Sequence, residues 1–72
     1  MTQETAIDWA EALRLLASGA IVQVGQSHGR RVTLVEATGR RLVTHQPQVD
    51  AILQAVMALP PEVRDRIAVS TE

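Results

Sequence analysis

Residues 29–33 read Gly-Arg-Arg-Val-Thr, and residues 39–44 repeat this pattern as Gly-Arg-Arg-Leu-Val-Thr. Each copy places a glycine and two arginines before β-branched or apolar residues, which is typical of a strand that follows a glycine turn. Four of the seven basic residues of the chain lie in these two copies. The repeat therefore predicts two successive strands, residues 31–37 and 42–45, with paired arginines beside the start of each.

A two-residue turn at residues 38–39 is expected to join these strands into a hairpin. In the register that this turn sets, Glu36 lies opposite Arg41 and pairs with it. The same register places the two arginine pairs at opposite ends of the ladder, roughly 15 to 20 Å apart. The face that a helix covers is expected to carry Val32, Leu34 and Val43. The opposite, more polar face is expected to carry Arg31, Thr33, Val35, Leu42 and Thr44.

The residues before the hairpin predict a helix and a further strand. Thr5 followed by Asp8 resembles a capping box, so the first helix is expected to start near Ala6. Its apolar residues follow helical spacing as far as the Ser-Gly pair at residues 18–19, where glycine can adopt the left-handed cap conformation. Residues 20–26 are expected to form a strand, which completes a three-stranded antiparallel β-meander.

The residues after the hairpin predict two more helices. Pro47 is expected in the first turn of a helix that continues to residue 59, and Pro61 begins a short final helix. The expected fold is a small α+β domain with the element order α-β-β-β-α-α. It spans the whole chain as a single domain, with residues 1–4 and 70–72 as flexible tails.

The size and composition of the chain restrict its class. Seventy-two residues make one domain, and a domain of this length buries only about 60% of the surface that its unfolded chain exposes. The chain has no cysteine for a disulfide or a thiolate metal site, so self-association is the expected source of added stability. Apolar residues make up 46% of the chain, and Trp9 is its one aromatic residue, which predicts a folded, mainly aliphatic core.

The charge and hydropathy patterns indicate where the protein acts. A net charge of −1 gives no overall field that would attract a polyanion. No stretch approaches the roughly 20 apolar residues of a membrane span, and the N-terminal residues do not resemble a signal peptide. We therefore expect a cytoplasmic protein without a membrane partner. The chain has seven arginines and no lysine, which indicates a GC-rich genome, either bacterial or carried by a phage or plasmid.

The predicted central helix is apolar on most of its surface. Between residues 49 and 59 only Asp50 and Gln54 are polar. Three strands and one further helix can cover only one side of such a helix, so we expect a homodimer in which this helix packs across a two-fold axis. The expected dimer interface consists of Val49, Ala51, Ile52, Leu53, Ala55, Val56 and Met57.

The paired arginines allow two interpretations. They could stabilise turns and keep exposed strand ends soluble, or they could contact an anion where the backbone approaches closely at a glycine turn. The residues expected to bind a partner are Arg30, Arg31, Arg40, Arg41, Thr33 and Thr44. No catalytic, cofactor-binding or metal-binding residues are expected, because neither His28 nor His45 has a neighbour in sequence that would orient it.

The order α-β-β-β-α is similar to that of double-stranded-RNA-binding domains. Members of that family carry a lysine cluster at the start of the second helix, where this chain has Gln46, Pro47, Gln48 and Asp50. Their function is therefore not expected here. The expected function is that of a non-enzymatic protein–protein interaction module, a small regulator, adaptor or inhibitor. The alternative is a weak nucleic-acid-binding protein that uses the arginine pairs at its β-turns.

Overall fold

A computed structural model describes residues 4–27 and 29–71 of the chain. In these residues it shows an α+β fold with five strands and three helices. In chain order the elements are β1 (Glu4–Ala6), α1 (Trp9–Ser18), β2 (Ile21–Gln26), β3 (Arg31–Glu36), β4 (Arg41–His45), α2 (Ala51–Met57), α3 (Pro61–Arg64) and β5 (Ala68–Thr71).

The strands form one mixed sheet in the order β1-β4-β3-β2-β5. The predicted antiparallel meander, β2-β3-β4, is the centre of this sheet. The prediction missed the two edges, where β1 pairs with β4 and β5 pairs with β2, both in parallel. Residue 4 and residues 70–71, expected in flexible tails, therefore lie in edge strands, while residues 1–3 and 72 lie outside the described residues. The element order α-β-β-β-α, which is similar to that of double-stranded-RNA-binding domains, therefore describes only the elements between β1 and the final α3 and β5.

Two long connections determine the layers of the fold. The chain passes from β1 through α1 to β2, and from β4 through α2 and α3 to β5. Each connection joins parallel strands and moves in the same direction across the sheet. Because such crossovers are almost always right-handed, both must place their helices on the same face. In agreement with this rule, Leu16 of α1 and Ile52 of α2 belong to one core cluster with buried residues of the sheet.

The turn between β3 and β4 is one residue longer than predicted. Residues 37–39 form a three-residue loop in which the Gly39 N–H donates to the Glu36 carbonyl at 2.8 Å and the Glu36 N–H donates to the Arg40 carbonyl at 2.9 Å. Gly39 has a φ of 96°, the left-handed conformation that such loops require at this position. The longer loop shifts the pairing by one residue, so that Val35 rather than Glu36 lies opposite Arg41.

Because of the shifted register, each side chain of β4 lies on the face of the sheet opposite to the predicted one. Leu42 and Thr44, expected on the open face, are buried beneath the helices. Val43, expected in the core, lies opposite Thr33 on the open face. Side chains alternate along a strand, so a shift of one residue reverses every residue of the strand.

The start of α1 also differs from the prediction. The helix begins at Trp9, and the side chain of Asp8 caps it by accepting a hydrogen bond from the Glu11 N–H at 2.7 Å. Thr5, expected as the cap, is in β1 instead. The predicted end is confirmed, because Gly19 follows the helix with a φ of 83°. On its exposed side, the Arg14 guanidinium donates hydrogen bonds to the Glu11 carboxylate and lowers the pKa of Glu11.

A buried network of amide side chains holds the start of α2 against the sheet. The Gln46 Oε1 accepts from the Ile52 N–H, and the Gln46 Nε2 donates to the Gln26 Oε1, both at 2.9 Å. The Gln26 Nε2 in turn donates to the Asp50 Oδ1 at 2.9 Å. The helix begins at Ala51 instead of beside Pro47, and Gln46, which directly follows β4, accepts from one of its first backbone N–H groups.

We predict that Gln46→Leu lowers the free energy of unfolding by about 2–3 kcal/mol, because it leaves the Ile52 N–H and the Gln26 Oε1 buried without their partner. Urea denaturation followed by circular dichroism measures this change. Gln48→Leu, at an exposed position two residues away, is the matched control and should change the free energy by less than about 0.5 kcal/mol. Equal effects of the two substitutions would contradict the role of the network.

Gly39→Ala is predicted to lower the free energy of unfolding by about 1–2 kcal/mol, because an alanine is strained at a positive φ. Apart from its two chain neighbours, an added Cβ would meet no atom of the described residues within 4 Å, so the expected cost comes from backbone strain. Thr38→Ala in the same loop is the control, since Thr38 has no positive φ. Thermal unfolding of the two variants measures the difference, and an unchanged melting temperature for Gly39→Ala would contradict the assigned loop.

Candidate functional site on the open face of the sheet

The face of the sheet opposite the helices is a surface five strands wide. The pairing of the strands arranges its side chains in rows across the sheet. One row runs through Ala68, Gln23, Val35, Arg41 and Glu4, and the next runs through Ser70, Gly25, Thr33, Val43 and Ala6. Arg31 and His45 lie beside each other in a third row. We call this surface the open face.

A shallow depression lies on the open face. Its volume is about 480 Å³, and its walls come from β2, β3, β4 and β5. The residues that line it are small, polar or aliphatic, and include Gln23, Gly25, Thr33, Val35, Arg41 and Ser70. Thr33 and Val35 are half-buried in its floor. The depression therefore gives a ligand access to the strand backbone, to some apolar surface and to one charged side chain, that of Arg41.

Glu4 brings one arginine of each pair together. The Arg31 guanidinium donates to the Glu4 carboxylate at 2.9 Å, and the Arg41 Nε lies 4.0 Å from the same carboxylate. This arrangement overturns the expectation that the two pairs act as separate sites and that Glu36 neutralises Arg41. Glu36 instead lies 3.7 Å from Arg40, its neighbour across the turn. We call Glu4, Arg31 and Arg41 the arginine cluster.

The arginine cluster remains accessible to a partner. The side chains of Arg31 and Arg41 are 52% and 46% exposed, and Glu4 is 36% exposed. Two guanidinium groups and one carboxylate leave a net positive charge at this edge of the open face. The other two predicted arginines lie apart from the cluster, since Arg30 donates to the Pro47 carbonyl at 3.4 Å and Arg40 follows the turn.

The two threonines predicted to bind a partner lie on opposite faces. Thr33 lies on the open face, between Gly25 and Val43 in the second row. Thr44 lies under the helices with 2% exposure, and its Oγ1 has no hydrogen-bond partner among the described residues. The register shift in β4 is the reason, and it removes Thr44 from the surface that a partner can reach.

Most of the predicted dimer interface belongs to the core of the protomer. Ala51, Ile52 and Val56 are buried, and Leu53 and Ala55 pack partly buried against the same cluster. Val49 and Met57 remain exposed, at 57% and 67%. Within one protomer these residues pack into one cluster with α1, the central meander and Ile67, so the side of the helix that they form is already covered. The apolar surface of α2 therefore no longer indicates a dimer contact.

Sequence reasoning missed three residues of the open face: Glu4, Gln23 and Ser70. Glu4 and Ser70 were expected in tails, because strands of three and four residues leave too short a pattern to detect. Gln23 was expected within a strand, but the partner strand β5 that makes it part of the depression was not. A weak signal exists in the alternation of residues 67–71, where Ile67, Val69 and Thr71 are separated by small residues.

The acidic and histidine side chains do not cluster in the part of the chain that the structure describes. There, no group of three or more His, Asp and Glu side chains is placed to hold a metal ion. Among the same residues, no helix has the length and apolar character needed to cross a membrane. His45 is exposed at the end of β4, and His28 lies outside the described residues.

Comparisons with known proteins do not assign the open face. No protein-family model matches the chain, and no curated protein matches it either. The functional interpretation therefore rests on the geometry and charge of the open face.

We predict that the double substitution of Arg31→Ala and Arg41→Ala leaves the fold intact and lowers the free energy of unfolding by no more than about 1–2 kcal/mol. Ion pairs that are this exposed each contribute about 0–1 kcal/mol. Urea denaturation measures the change, and an unchanged far-ultraviolet circular dichroism spectrum confirms the fold. Unfolding of the double variant at room temperature would show that the cluster holds β1 in place and is a structural feature.

Proposed function

We propose that this chain is a non-enzymatic protein–protein interaction module, a small regulator, adaptor or inhibitor, which binds its partner on the open face. The observation that carries this proposal is the one-sided packing of the helices. Helices α1 and α2 use one face of the sheet for the core, and the opposite face keeps half-buried Thr33, Val35 and Val43 beside exposed arginines. Accessible apolar area with a charged rim is the usual composition of a protein interface.

The depression indicates the chemistry of the partner. The residues that line it include Gly25, Thr33 and Val35. Because these side chains are small or absent, a partner segment can approach the backbone of the strands closely. Arg41 lines its wall and belongs to the arginine cluster, which has a net positive charge. A segment with an apolar side chain and a neighbouring carboxylate fits both features, because a guanidinium group pairs well with a carboxylate.

Nucleic-acid binding is the second candidate, and one observation favours it. The guanidinium groups of Arg31 and Arg41 lie together at the Glu4 carboxylate on the open face, whereas the sequence predicted them at opposite ends of the hairpin. Glu4 lies between them, however, and its carboxylate would repel a phosphate. Trp9, the one aromatic residue, packs against the core from α1 and is not on the sheet face, where bases would stack. A protein partner therefore fits the open face better.

The proposal includes a cytoplasmic, homodimeric protein encoded by a bacterium or by a phage or plasmid. The composition supports these parts: every basic side chain of the Lys and Arg class is arginine, and a 72-residue domain gains stability from self-association.

The test of the proposed function is partner capture with charge-matched variants. Wild-type protein is immobilised and used to capture proteins from a lysate of the native host, which are identified by mass spectrometry. The captured partner is then purified and its affinity measured by calorimetry. Arg31→Ala with Arg41→Ala should weaken binding by about tenfold or more, which corresponds to about 1.4 kcal/mol. The control removes the same charge from the helix side, through Arg14→Ala with Arg66→Ala, and should leave binding unchanged.

Salt dependence separates the two candidate functions. A random-sequence DNA duplex and a random-sequence RNA are titrated with the wild-type protein in parallel with the purified partner. Binding of a nucleic acid should be weak at physiological salt, whereas binding of the protein partner should fall only modestly as salt rises. Tight binding of either nucleic acid with a steep salt dependence would establish the second candidate. Equal affinities of the two double variants for the partner would contradict docking on the arginine cluster.

A further inference from the structure

The edge strand β5 presents an unprotected hydrogen-bonding edge. It comprises Ala68–Thr71 and pairs with β2 on one side, and no strand among the described residues pairs with its other side. All four of its residues are exposed, and Val69 keeps 45% of its surface accessible. Its sequence, Ala-Val-Ser-Thr, contains neither a charge nor a proline. Natural edge strands usually carry such residues, because they prevent pairing with another chain.

The opposite edge of the same sheet is protected. Strand β1 has only three residues, and it starts with Glu4, whose carboxylate is held by Arg31 and Arg41. A second strand that paired with β1 would have to approach this charged cluster. The two edges therefore differ in charge: β1 carries a charged cluster, whereas β5 has no charged residue that would prevent pairing with another strand.

We propose that β5 pairs in antiparallel orientation with β5 of a second copy of this chain, around a two-fold axis. Such an axis makes the contact symmetric, so any charged side chain in the strand would lie close to its own copy and meet a like charge. Strand β5 has no charged side chain and satisfies this condition. The inference rests on the homodimeric state in the proposed function and gives that state a contact surface.

The apolar surface beside β5 supports a second copy as its occupant. Val69 is one of four large hydrophobic residues that are exposed in the described part of the chain, and it lies on β5 opposite Val24, on the helix side of the sheet. Pairing of β5 with its copy brings the Val69 side chains of both protomers toward each other on the helix side. Backbone hydrogen bonds and this apolar contact then act together, which an isolated edge of four residues requires.

The dimer has a consequence for the open face. An antiparallel pair of edge strands related by a two-fold axis continues the sheet, so both open faces lie on the same side of ten strands. Ser70 of β5 lines the depression, and each depression therefore lies next to the dimer axis. Two partner sites close together would let a repeated or symmetric partner bind both protomers, with a gain in affinity from their proximity.

Analytical ultracentrifugation with edge variants tests this inference. The wild-type protein should sediment as a dimer, at twice its 7.8 kDa mass, over micromolar to submillimolar concentrations. Val69→Lys places a charge on the edge strand and should raise the dimer dissociation constant by about tenfold or more. Thr71→Lys is the second variant, used if Val69→Lys disturbs the fold. Met57→Lys is the matched control, because it adds the same charge at an exposed apolar position of α2.

Amide hydrogen exchange provides the second measurement. The β5 amides should become more protected as the protein concentration rises, and Val69→Lys should remove this dependence. A monomer at every concentration would overturn the inference, as would dissociation by Met57→Lys with Val69→Lys still dimeric, since that would place the contact on α2. Protection of β5 only after addition of the captured partner would show that a partner strand, not a second copy, pairs with this edge.

The two proposals fail in different ways. Arg31→Ala with Arg41→Ala should leave the sedimenting mass unchanged, because these residues lie on β3 and β4, and β2 separates both strands from β5. Val69→Lys should retain measurable binding of the captured partner by each protomer. A wild-type monomer that still binds its partner through the arginine cluster would overturn the dimer alone. A stable dimer that binds its partner equally well with and without the Arg31→Ala and Arg41→Ala substitutions would overturn docking on the arginine cluster, but the dimer would stand.

Discussion

The handedness of the two crossover connections is the constraint on which the rest of the structure depends. Both connections join parallel strands in the same direction across the sheet, and right-handed crossovers then place α1 and α2 on one face. That face receives nearly all the aliphatic side chains that the chain can bury. The opposite face cannot be covered by the same chain, because no helix remains to cover it in the part that the structure describes. The open face is therefore a product of topology.

The buried amide network and the arginine cluster connect distant parts of the chain in different ways. Gln26 and Gln46 lie under the start of α2 and fix the second crossover to the sheet through buried hydrogen bonds. Glu4 joins the exposed arginines of β3 and β4 to the N-terminal edge strand. The first set is shielded from water and specifies the fold, whereas the second is exposed and adds little stability. Its exposed charge leaves it free to contact a partner.

Much of the central architecture could be predicted from the sequence, and the errors have identifiable physical causes. The Gly-Arg-Arg repeat correctly located β3 and β4, and Gly19 correctly marked the end of α1. The turn after Glu36 was predicted one residue too short, since Thr38-Gly39 also suits a three-residue loop that ends in a left-handed glycine. This single error reversed the faces of β4 and assigned Thr44 to the wrong surface. The expected dimer interface on α2 assumed an uncovered apolar helix, whereas Ile52 and Val56 are buried against α1 and the central meander of the same chain.

The sequence by itself determined the elements whose signals are local: the apolar helix stripes, the glycine that ends α1, and the meander that follows the doubled arginines. Only the tertiary structure decided that both ends of the chain add edge strands, that Glu4 gathers Arg31 and Arg41, and that α2 is covered by its own sheet. Strands of three or four residues carry too little periodicity to be recognised alone. They form because the sheet supplies hydrogen-bond partners from residues distant in sequence, and no local pattern records that pairing.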